Sequence, residues 1–252
     1  MFNTKKEVIS WIQDYFQKIG YNNNVVIGIS GGKDSSVVAA LCVEALGKDR
    51  VYGVIMPNGY QYDIDIAEKL IYHLDINKKI VPIESIINNL IEWISPLRLT
   101  NTTEGLKLND ISLNNIPARI RMTVLYAIAA TINGRVANTS NLSERYIGWT
   151  TKWGDSVGDF SPLGQLTCTE VISLGKELGL PDEFISKVPE DGITGKSDEE
   201  NFGFSYEVLD KYIRTGECDN IIIKEQINKL KEKSKHKLTC IPTYSGCYSN
   251  FE

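Results

Sequence analysis

The run VVIGISGGKDSS, residues 25–36, constrains the fold more strongly than any other part of the sequence. An apolar segment typical of a buried strand ends in a serine, two glycines and a lysine. A helical pattern, DSSVVAALCVEAL, follows at once and stops at Gly47, a residue type common just after a helix. A strand that turns through glycines into a helix directs several backbone N–H groups at one anion. The run therefore predicts a phosphate-binding loop.

Two common phosphate-binding motifs do not match this loop. In a Walker A motif the residue after the lysine is a serine or threonine that binds Mg²⁺, whereas Asp34 follows Lys33 here. In the dinucleotide motif G-x-G-x-x-G, the glycines have a spacing that Gly28, Gly31 and Gly32 do not reproduce. The sequence therefore predicts a phosphate loop of a different type.

Short apolar runs alternate with helical patterns through the first half of the chain. VYGVIM, KKIVPI and RVANT predict strands, whereas DIDIAEKLIYHL, ESIINNLIEWI and IPARIRMTVLYAIAATI predict helices. This alternation predicts an α/β fold with a parallel sheet flanked by helices on both faces, Rossmann-like in type. Such sheets bind ligands beyond the carboxyl ends of their strands, where ISGGKDSS and NTSNLSE both fall. We expect one domain over residues 1–252.

Composition excludes several classes of partner. The net charge of −5 provides no basic field for nucleic acid. No apolar run is long enough to cross a membrane. The five cysteines form an odd set without a C-x-x-C pair, which argues against a zinc site and against a disulfide framework. We therefore expect a cytoplasmic protein with neither nucleic acid nor membrane as a partner.

The loop SGGKDSS matches the S-G-G-x-D-S loop of the N-type ATP pyrophosphatases, and the chain as a whole resembles the ammonia-dependent NAD synthetases of that superfamily. The resemblance rests on GISGGKDSSVVAAL, IPARIRMTVLYAIA, NTSNLSERYIGWTTKWGDSVGDFSPL, SDEENFGFSYEVLDKYI and KHK. It implies an adenine nucleotide alpha hydrolase-like fold and a ligase that forms a C–N bond. In that family ATP adenylates the nicotinate carboxylate of deamido-NAD and releases pyrophosphate, and ammonia then displaces AMP to give NAD.

The resemblance also implies the residues of the site. The implied ATP-binding residues are Gly28, Ile29, Ser30, Gly31, Gly32, Lys33, Asp34, Ser35, Ser36, Met56 and Thr139. The implied Mg²⁺ ligands are Asp34 and Glu144, since carboxylates joined to phosphate oxygens suit that ion. The implied deamido-NAD-binding residues are Arg119, Lys152, Asp159, His236 and Lys237. Among these sets, Asp34, Lys152 and Asp159 are the implied catalytic residues.

Two positions depart from the family pattern. The family often has a lysine in an LTK motif that helps to hold the ATP phosphates, but this sequence has LTC, with Cys168 at that position. Glu190 replaces a threonine or serine of the family in VPEDG. A thiol carries no cation, so we expect that Lys33, Lys187 or Lys196 compensates for the missing charge.

Several of these assignments have a structural alternative. Arg119 could pair with a buried carboxylate, Lys152 and Asp159 could be ordinary polar loop residues, and the lysine-rich run before Lys237 could be a solvated helix face. The alternative functions are a GMP synthetase-like or tRNA thiolase-like pyrophosphatase and an ATP-binding sensor without catalysis.

The resemblance implies a homodimer, with deamido-NAD, ATP and ammonia as substrates. It implies no N-terminal amidase domain, since the phosphate loop begins near residue 30.

Overall fold

A parallel sheet forms the centre of the fold, as a computed structural model of the chain shows. The model describes residues 4–20, 22–59, 64–95, 107–186, 197–239 and 241–243. The four strands in those ranges are β1 (Asn24–Gly28), β2 (Val51–Ile55), β3 (Asn77–Ile80) and β4 (Gly134–Val136). Their order is β3-β2-β1-β4, and every neighbouring pair is parallel. In the register, Val25 of β1 lies opposite Val51 on one side and opposite Arg135 on the other.

Helices connect the strands and continue after them. They are α1 (Thr4–Ile19), α2 (Lys33–Leu46), α3 (Ile64–Leu74), α4 (Glu84–Ile94), α5 (Asp110–Thr131), α6 (Leu142–Ile147), α7 (Cys168–Glu177), α8 (Asp182–Ile185), α9 (Asp198–Phe202), α10 (Tyr206–Thr215) and α11 (Ile221–Leu238). The predicted end of the first loop's helix is confirmed, since Gly47 follows α2 with φ of +86°. Throughout the described ranges, no helix combines the length and apolar character that crossing a membrane requires.

The alternation of side chains along β1 builds a core on each face of the sheet. Val25 and Ile27 belong to the cluster that packs against α1, α2, α3, α7 and α8. Val26 belongs to the opposite cluster, which packs against α4 and α5. The expectation of a parallel sheet with helices on both faces is therefore confirmed. A third cluster, centred on Leu209 and Ile227, joins α6 and α7 to α10 and α11.

The strand order places two loops beside each other. The chain moves from β1 outward to β2 and β3, and then returns to the other side of β1 to form β4. The reversal in strand order therefore lies between β1 and β4, which is where sheets of this kind bind ligands. The loop after β1 is ISGGKDSS and the one after β4 leads into NTSNLSE, so both predicted motifs meet at this point.

Candidate functional site

The loop between β1 and α2 is held in shape by its own serines. Gly31 has φ of +80°, a backbone conformation that residues with a Cβ rarely adopt. The amide of Gly32 donates to Ser30 Oγ at 3.2 Å, and the amide of Ser30 donates to Ser35 Oγ at 3.3 Å. The hydroxyls of Ser35 and Ser36 donate to the Gly32 carbonyl at 3.0 and 2.9 Å. The loop is thus preorganised at the N-terminus of a 14-residue helix.

Asp34 and Glu144 meet through Asn141, a residue that the sequence reasoning missed. Asn141 Nδ2 donates to Asp34 Oδ1 at 3.0 Å, and its backbone N–H donates to Glu144 Oε2 at 3.2 Å. The Glu144 backbone amide donates to Asn141 Oδ1 at 3.0 Å. Together with the bond from the Asn141 N–H to Glu144, this forms a capping box at the start of α6. The pattern N-x-x-E was the available signal. One residue, Asn141, therefore holds both predicted metal ligands, through its side chain and its backbone N–H, although they are far apart in sequence.

This pair of carboxylates fits a magnesium ion that binds together with phosphates. Burial raises the pKa of Glu144 well above its ordinary value, and the neighbouring charge of Asp34 raises it further. A cation would relieve that repulsion. Mg²⁺ typically uses one or two carboxylates and completes its shell with waters and substrate phosphates. Among the described residues, no three or more His, Cys, Asp or Glu side chains are grouped so that they could hold a metal ion by themselves.

Lys33 lies inside the site. Its Nζ donates to Asp34 Oδ2 at 2.8 Å, and its side chain is only 3% exposed. The ammonium also stands 5.5 Å from the centre of the Tyr206 ring. Burial alone would lower the pKa of Lys33, but the carboxylates of Asp34 and Glu144 hold it above its ordinary value. The lysine is therefore charged, and it faces the predicted metal ligands.

Cys168 lies beside Lys33 at the start of α7. Burial raises the pKa of the Cys168 thiol to about 12, although the charge of Lys33 acts in the opposite direction. The Cys168 amide donates to Ser143 Oγ at 3.0 Å, and that hydroxyl donates to Asp210. Of the three lysines expected to compensate for this thiol, Lys33 is the one that the structure describes. Glu190, Lys187 and Lys196 lie outside the described residues.

Four of the five residues predicted to bind deamido-NAD form a connected group. Arg119 Nε donates to the Lys152 carbonyl at 3.3 Å, and Lys152 Nζ donates to the His236 carbonyl at 2.6 Å. Lys237 Nζ donates to two carbonyls of segment 148–150, at 2.8 and 2.7 Å. Helix α5, the loop after α6 and the end of α11 therefore converge here. The convergence agrees with a shared site, and the roles of the individual residues stay predictions.

Asp159 has different neighbours. Its Oδ2 accepts the Val136 amide at 2.8 Å, and its Oδ1 accepts the Tyr126 hydroxyl at 3.4 Å. Its carbonyl accepts the Tyr15 hydroxyl at 3.2 Å. Burial and the charge of Asp159 raise the pKa of Tyr126 to about 12. These bonds attach the loop to the end of β4, and none of them is made to another predicted site residue.

The remaining predicted ATP-binding residues surround the carboxyl end of β1. The Ile29 amide extends the sheet by donating to the Val54 carbonyl at 2.9 Å. A Cβ on Gly28 would lie 3.3 Å from the Met56 side chain, so the glycine allows a close approach. The Met56 carbonyl accepts Arg121 Nε at 3.3 Å, a contact that the sequence did not predict. Thr139 lies half-buried between β4 and α6.

A buried carboxylate supports the ring beneath Lys33. Asp198, 5% exposed, accepts the Tyr206 hydroxyl at 2.9 Å and Trp149 Nε1 at 2.9 Å. Trp149 belongs to the GWTTKWGD segment and Tyr206 begins α10, so the carboxylate joins the predicted dinucleotide loop to the predicted ATP site. Nothing in the sequence pattern indicated this contact.

Comparison with known proteins agrees with this arrangement. The model of the family described as NAD synthase matches residues 4–242. The chain is similar to an NH(3)-dependent NAD(+) synthetase of Pyrococcus horikoshii, with 36% identity over 92% of this chain and 91% of the relative. Among solved structures it is similar to an NMN synthetase from Francisella tularensis, with a TM-score of 0.86, 29% identity, and coverage of 96% of this chain and 97% of that one. It is also similar to an NH3-dependent NAD synthetase from Campylobacter jejuni, with a TM-score of 0.75, 29% identity and the same two coverages.

Proposed function

Because the chain belongs to the NAD synthase family, its reaction is the ATP-dependent amidation with ammonia that forms NAD, and we propose how its residues carry out that reaction. The observation that carries the proposal is the Asp34–Asn141–Glu144 arrangement, which lies beside a preorganised phosphate loop at the reversal of strand order. Such a site suits a nucleotide that arrives with a divalent cation.

The nicotinate carboxylate of deamido-NAD attacks the α-phosphorus of ATP, the bond between the α- and β-phosphates breaks, and pyrophosphate leaves. Ammonia then attacks the acyl carbon of the adenylate, the bond to AMP breaks, and loss of a proton from nitrogen leaves the amide of NAD. Activation is needed because a carboxylate is a poor electrophile with a poor leaving group, whereas an acyl adenylate expels AMP readily.

The chain's own groups stabilise the charge that moves in these steps. The phosphate loop, residues 30–36, binds the departing phosphates, and the dipole of α2 favours the negative charge there. Mg²⁺ bound by Asp34 and Glu144 neutralises phosphate charge when it is present. Arg119, Lys152, His236 and Lys237 bind deamido-NAD. Asp159 keeps its bond to β4 and orients the loop that precedes it.

A homodimer completes the proposal. Helix α5 is apolar along most of its length, yet Ala129 is its only buried residue. Ile111 on α5 and Trp93 on α4 are 70% and 72% exposed. Exposed apolar surface of this kind marks protein contacts. Because α5 also carries Arg119, the proposed dimer contact lies near the dinucleotide site. We place the enzyme in the cytoplasm as one catalytic domain.

A second acceptor is a candidate because the NMN synthetase from Francisella tularensis superposes on this chain with a TM-score of 0.86. An enzyme of that kind would amidate nicotinate mononucleotide, which lacks the adenylyl half of deamido-NAD. The chemistry at the carboxylate would be the same, and the difference would lie in the residues that contact the second nucleotide.

One assay tests both acceptors. The protein is incubated with Mg²⁺, ATP and ammonium, together with deamido-NAD or with nicotinate mononucleotide, and the nucleotides are separated by chromatography. We expect NAD and AMP in equal amounts and dependence on ammonium. Amidation of the mononucleotide in preference to deamido-NAD would support the second candidate. Formation of ADP instead of AMP would contradict the proposed bond cleavage.

Asp34→Asn tests the metal ligand. We expect turnover to fall at least a hundredfold while the fold persists, because an amide is a much weaker Mg²⁺ ligand than a carboxylate. Asp65→Asn is the matched control, since Asp65 occupies the same first-turn position on α3 and is exposed. Equal activity of the two variants would remove Asp34 from the site.

Lys152→Ala tests the dinucleotide group. The KM for deamido-NAD should rise at least tenfold while the KM for ATP changes less than threefold, because the lysine contacts the end of α11 and not the phosphate loop. Lys229→Ala, an exposed lysine on α11, serves as the control. Parallel changes in both KM values would contradict a role confined to deamido-NAD.

A further inference from the structure

The ammonium of Lys33 occupies the proposed metal site, in contact with Asp34. It donates to Asp34 Oδ2 at 2.8 Å, while the other oxygen of that carboxylate accepts Asn141 Nδ2 at 3.0 Å. Both oxygens of the first predicted metal ligand are therefore already engaged. For the metal to bind Asp34 through Oδ2, the ammonium has to leave.

The surroundings hold this lysine in place. Its side chain is 3% exposed, so water does not supply its solvation, and the Tyr206 ring lies 5.5 Å from the ammonium. The nearby ionisable groups are Asp34, Glu144 and Cys168, and burial keeps the last of them a neutral thiol. One ammonium therefore faces two carboxylates. A buried charge is tolerated when it is paired in this way.

We propose that Lys33 is an internal counter-cation that occupies Asp34 in the nucleotide-free protein and competes with the divalent metal for it. This inference rests on the metal site proposed above. It makes metal binding weak until ATP arrives, because the phosphates of ATP offer new acceptors to the ammonium when it leaves Asp34. Metal and nucleotide therefore bind cooperatively, and the free enzyme does not hold the metal tightly.

A lysine with a purely structural role predicts a different result. If Lys33 only neutralised the carboxylates to stabilise the fold, its removal would lower stability without raising metal affinity. If Lys33 competes with the metal, removing it frees an oxygen of Asp34 and removes a like charge next to the incoming cation. The two roles therefore differ in the sign of the effect on metal affinity.

Binding of Mn²⁺, followed by electron paramagnetic resonance without nucleotide and without turnover, separates these roles. We expect Lys33→Met to bind Mn²⁺ at least tenfold more tightly than the natural chain. Lys48→Met, which removes an exposed lysine that pairs with Asp75, is the matched control and should leave the affinity within twofold. Unchanged or weaker Mn²⁺ binding by Lys33→Met would overturn the inference.

Two further measurements keep the test decisive. Lys33→Gln retains a hydrogen-bond donor for Asp34, and its affinity for Mn²⁺ should rise as that of Lys33→Met does. If either variant is unstable, Mn²⁺ should raise its melting temperature more than it raises that of the natural chain. Adding a non-hydrolysable ATP analogue should tighten Mn²⁺ binding in the natural chain and reduce the difference between it and Lys33→Met. Mn²⁺ binding by the natural chain with the analogue, but no tightening in either variant, would refute the inference and leave the metal site standing. No Mn²⁺ binding even with the analogue would refute both.

Discussion

Gly148 is the position where one added carbon should disturb the proposed dinucleotide group. The residue ends α6 with φ of +68°, and a Cβ built there would overlap Cβ and Oγ of Ser234 on α11. The Ser234 hydroxyl donates to the Ile147 carbonyl at 2.9 Å, so it has little freedom to move. Lys237 on the next turn donates to the Gly148 carbonyl at 2.8 Å. Gly148→Ala should therefore push α11 away from α6.

Two costs add up in this variant. A left-handed backbone costs a residue with a Cβ about 1–2 kcal/mol, and forcing an extra carbon into a packed contact costs about 1–3 kcal/mol. We therefore expect the free energy of unfolding to fall by about 2–5 kcal/mol, measured by urea denaturation. The KM for deamido-NAD should rise more than the KM for ATP, because the end of α11 carries His236 and Lys237.

Gly216→Ala is the matched control. Gly216 ends α10 in the same left-handed conformation, with φ of +76°, but no atom lies within 4 Å of the Cβ that alanine would add. This control should lose only the backbone term, about 1–2 kcal/mol, with an unchanged KM for both substrates. Equal losses of stability in the two variants would refute the argument that helix contact makes Gly148 special.

Two predictions concern polar networks outside the reacting groups. Asp198→Asn should lower the free energy of unfolding by about 1–3 kcal/mol, because Trp149 and Tyr206 donate to different oxygens of Asp198 and the amide replaces one of these oxygens by a donor. Urea denaturation measures the loss, and Tyr206→Phe, which removes one donor, should lose less. Burial acts to raise the pKa of Glu170, but bonds from Arg214 and a backbone amide outweigh it and hold the pKa below its ordinary 4.5. The stabilisation of the folded state by ionised Glu170 is complete above pH 4.5 and is lost as the pH falls further. Arg214→Met should therefore reduce the difference in the free energy of unfolding between pH 7 and pH 3. An unchanged difference would show that the Arg214–Glu170 pair does not contribute.

The arrangement of the sheet could be predicted because periodicity reports burial. Val25, Val26 and Ile27 form a continuous apolar run, and in the structure their side chains fill cores on both faces. The edge strand was less predictable: β3 is exposed at all four positions and begins at Asn77, before the apolar part of KKIVPI. Burial is the signal that periodicity detects, so a strand without it has boundaries that only its hydrogen bonds define.

The candidate site likewise combines residues that could be predicted with contacts that could not. The family resemblance implied Asp34 and Glu144 as metal ligands, an assignment that stays a prediction, and each lies in the first turn of a helix that follows a loop. The bond from Asn141 to Asp34 joins residues 107 positions apart, and the bond from Trp149 to Asp198 joins residues 49 apart. Contacts of this kind depend on how helices pack, and a capping pattern or an isolated aromatic residue does not encode them.

The exchange of a lysine for a thiol at position 168 shows how such a contact changes the interpretation of a motif. The sequence left three lysines as sources of the missing cation. The structure places Lys33 near the buried thiol, in contact with the Asp34 carboxylate and under the electrostatic influence of Glu144. A thiol at 168 leaves room for that ammonium, whereas a second lysine there would bring two like charges together in a buried site. Lys33, at the x position of S-G-G-x-D-S, and Cys168, after LT, should therefore be interpreted together. The charge at one of these positions determines what charge the other can hold.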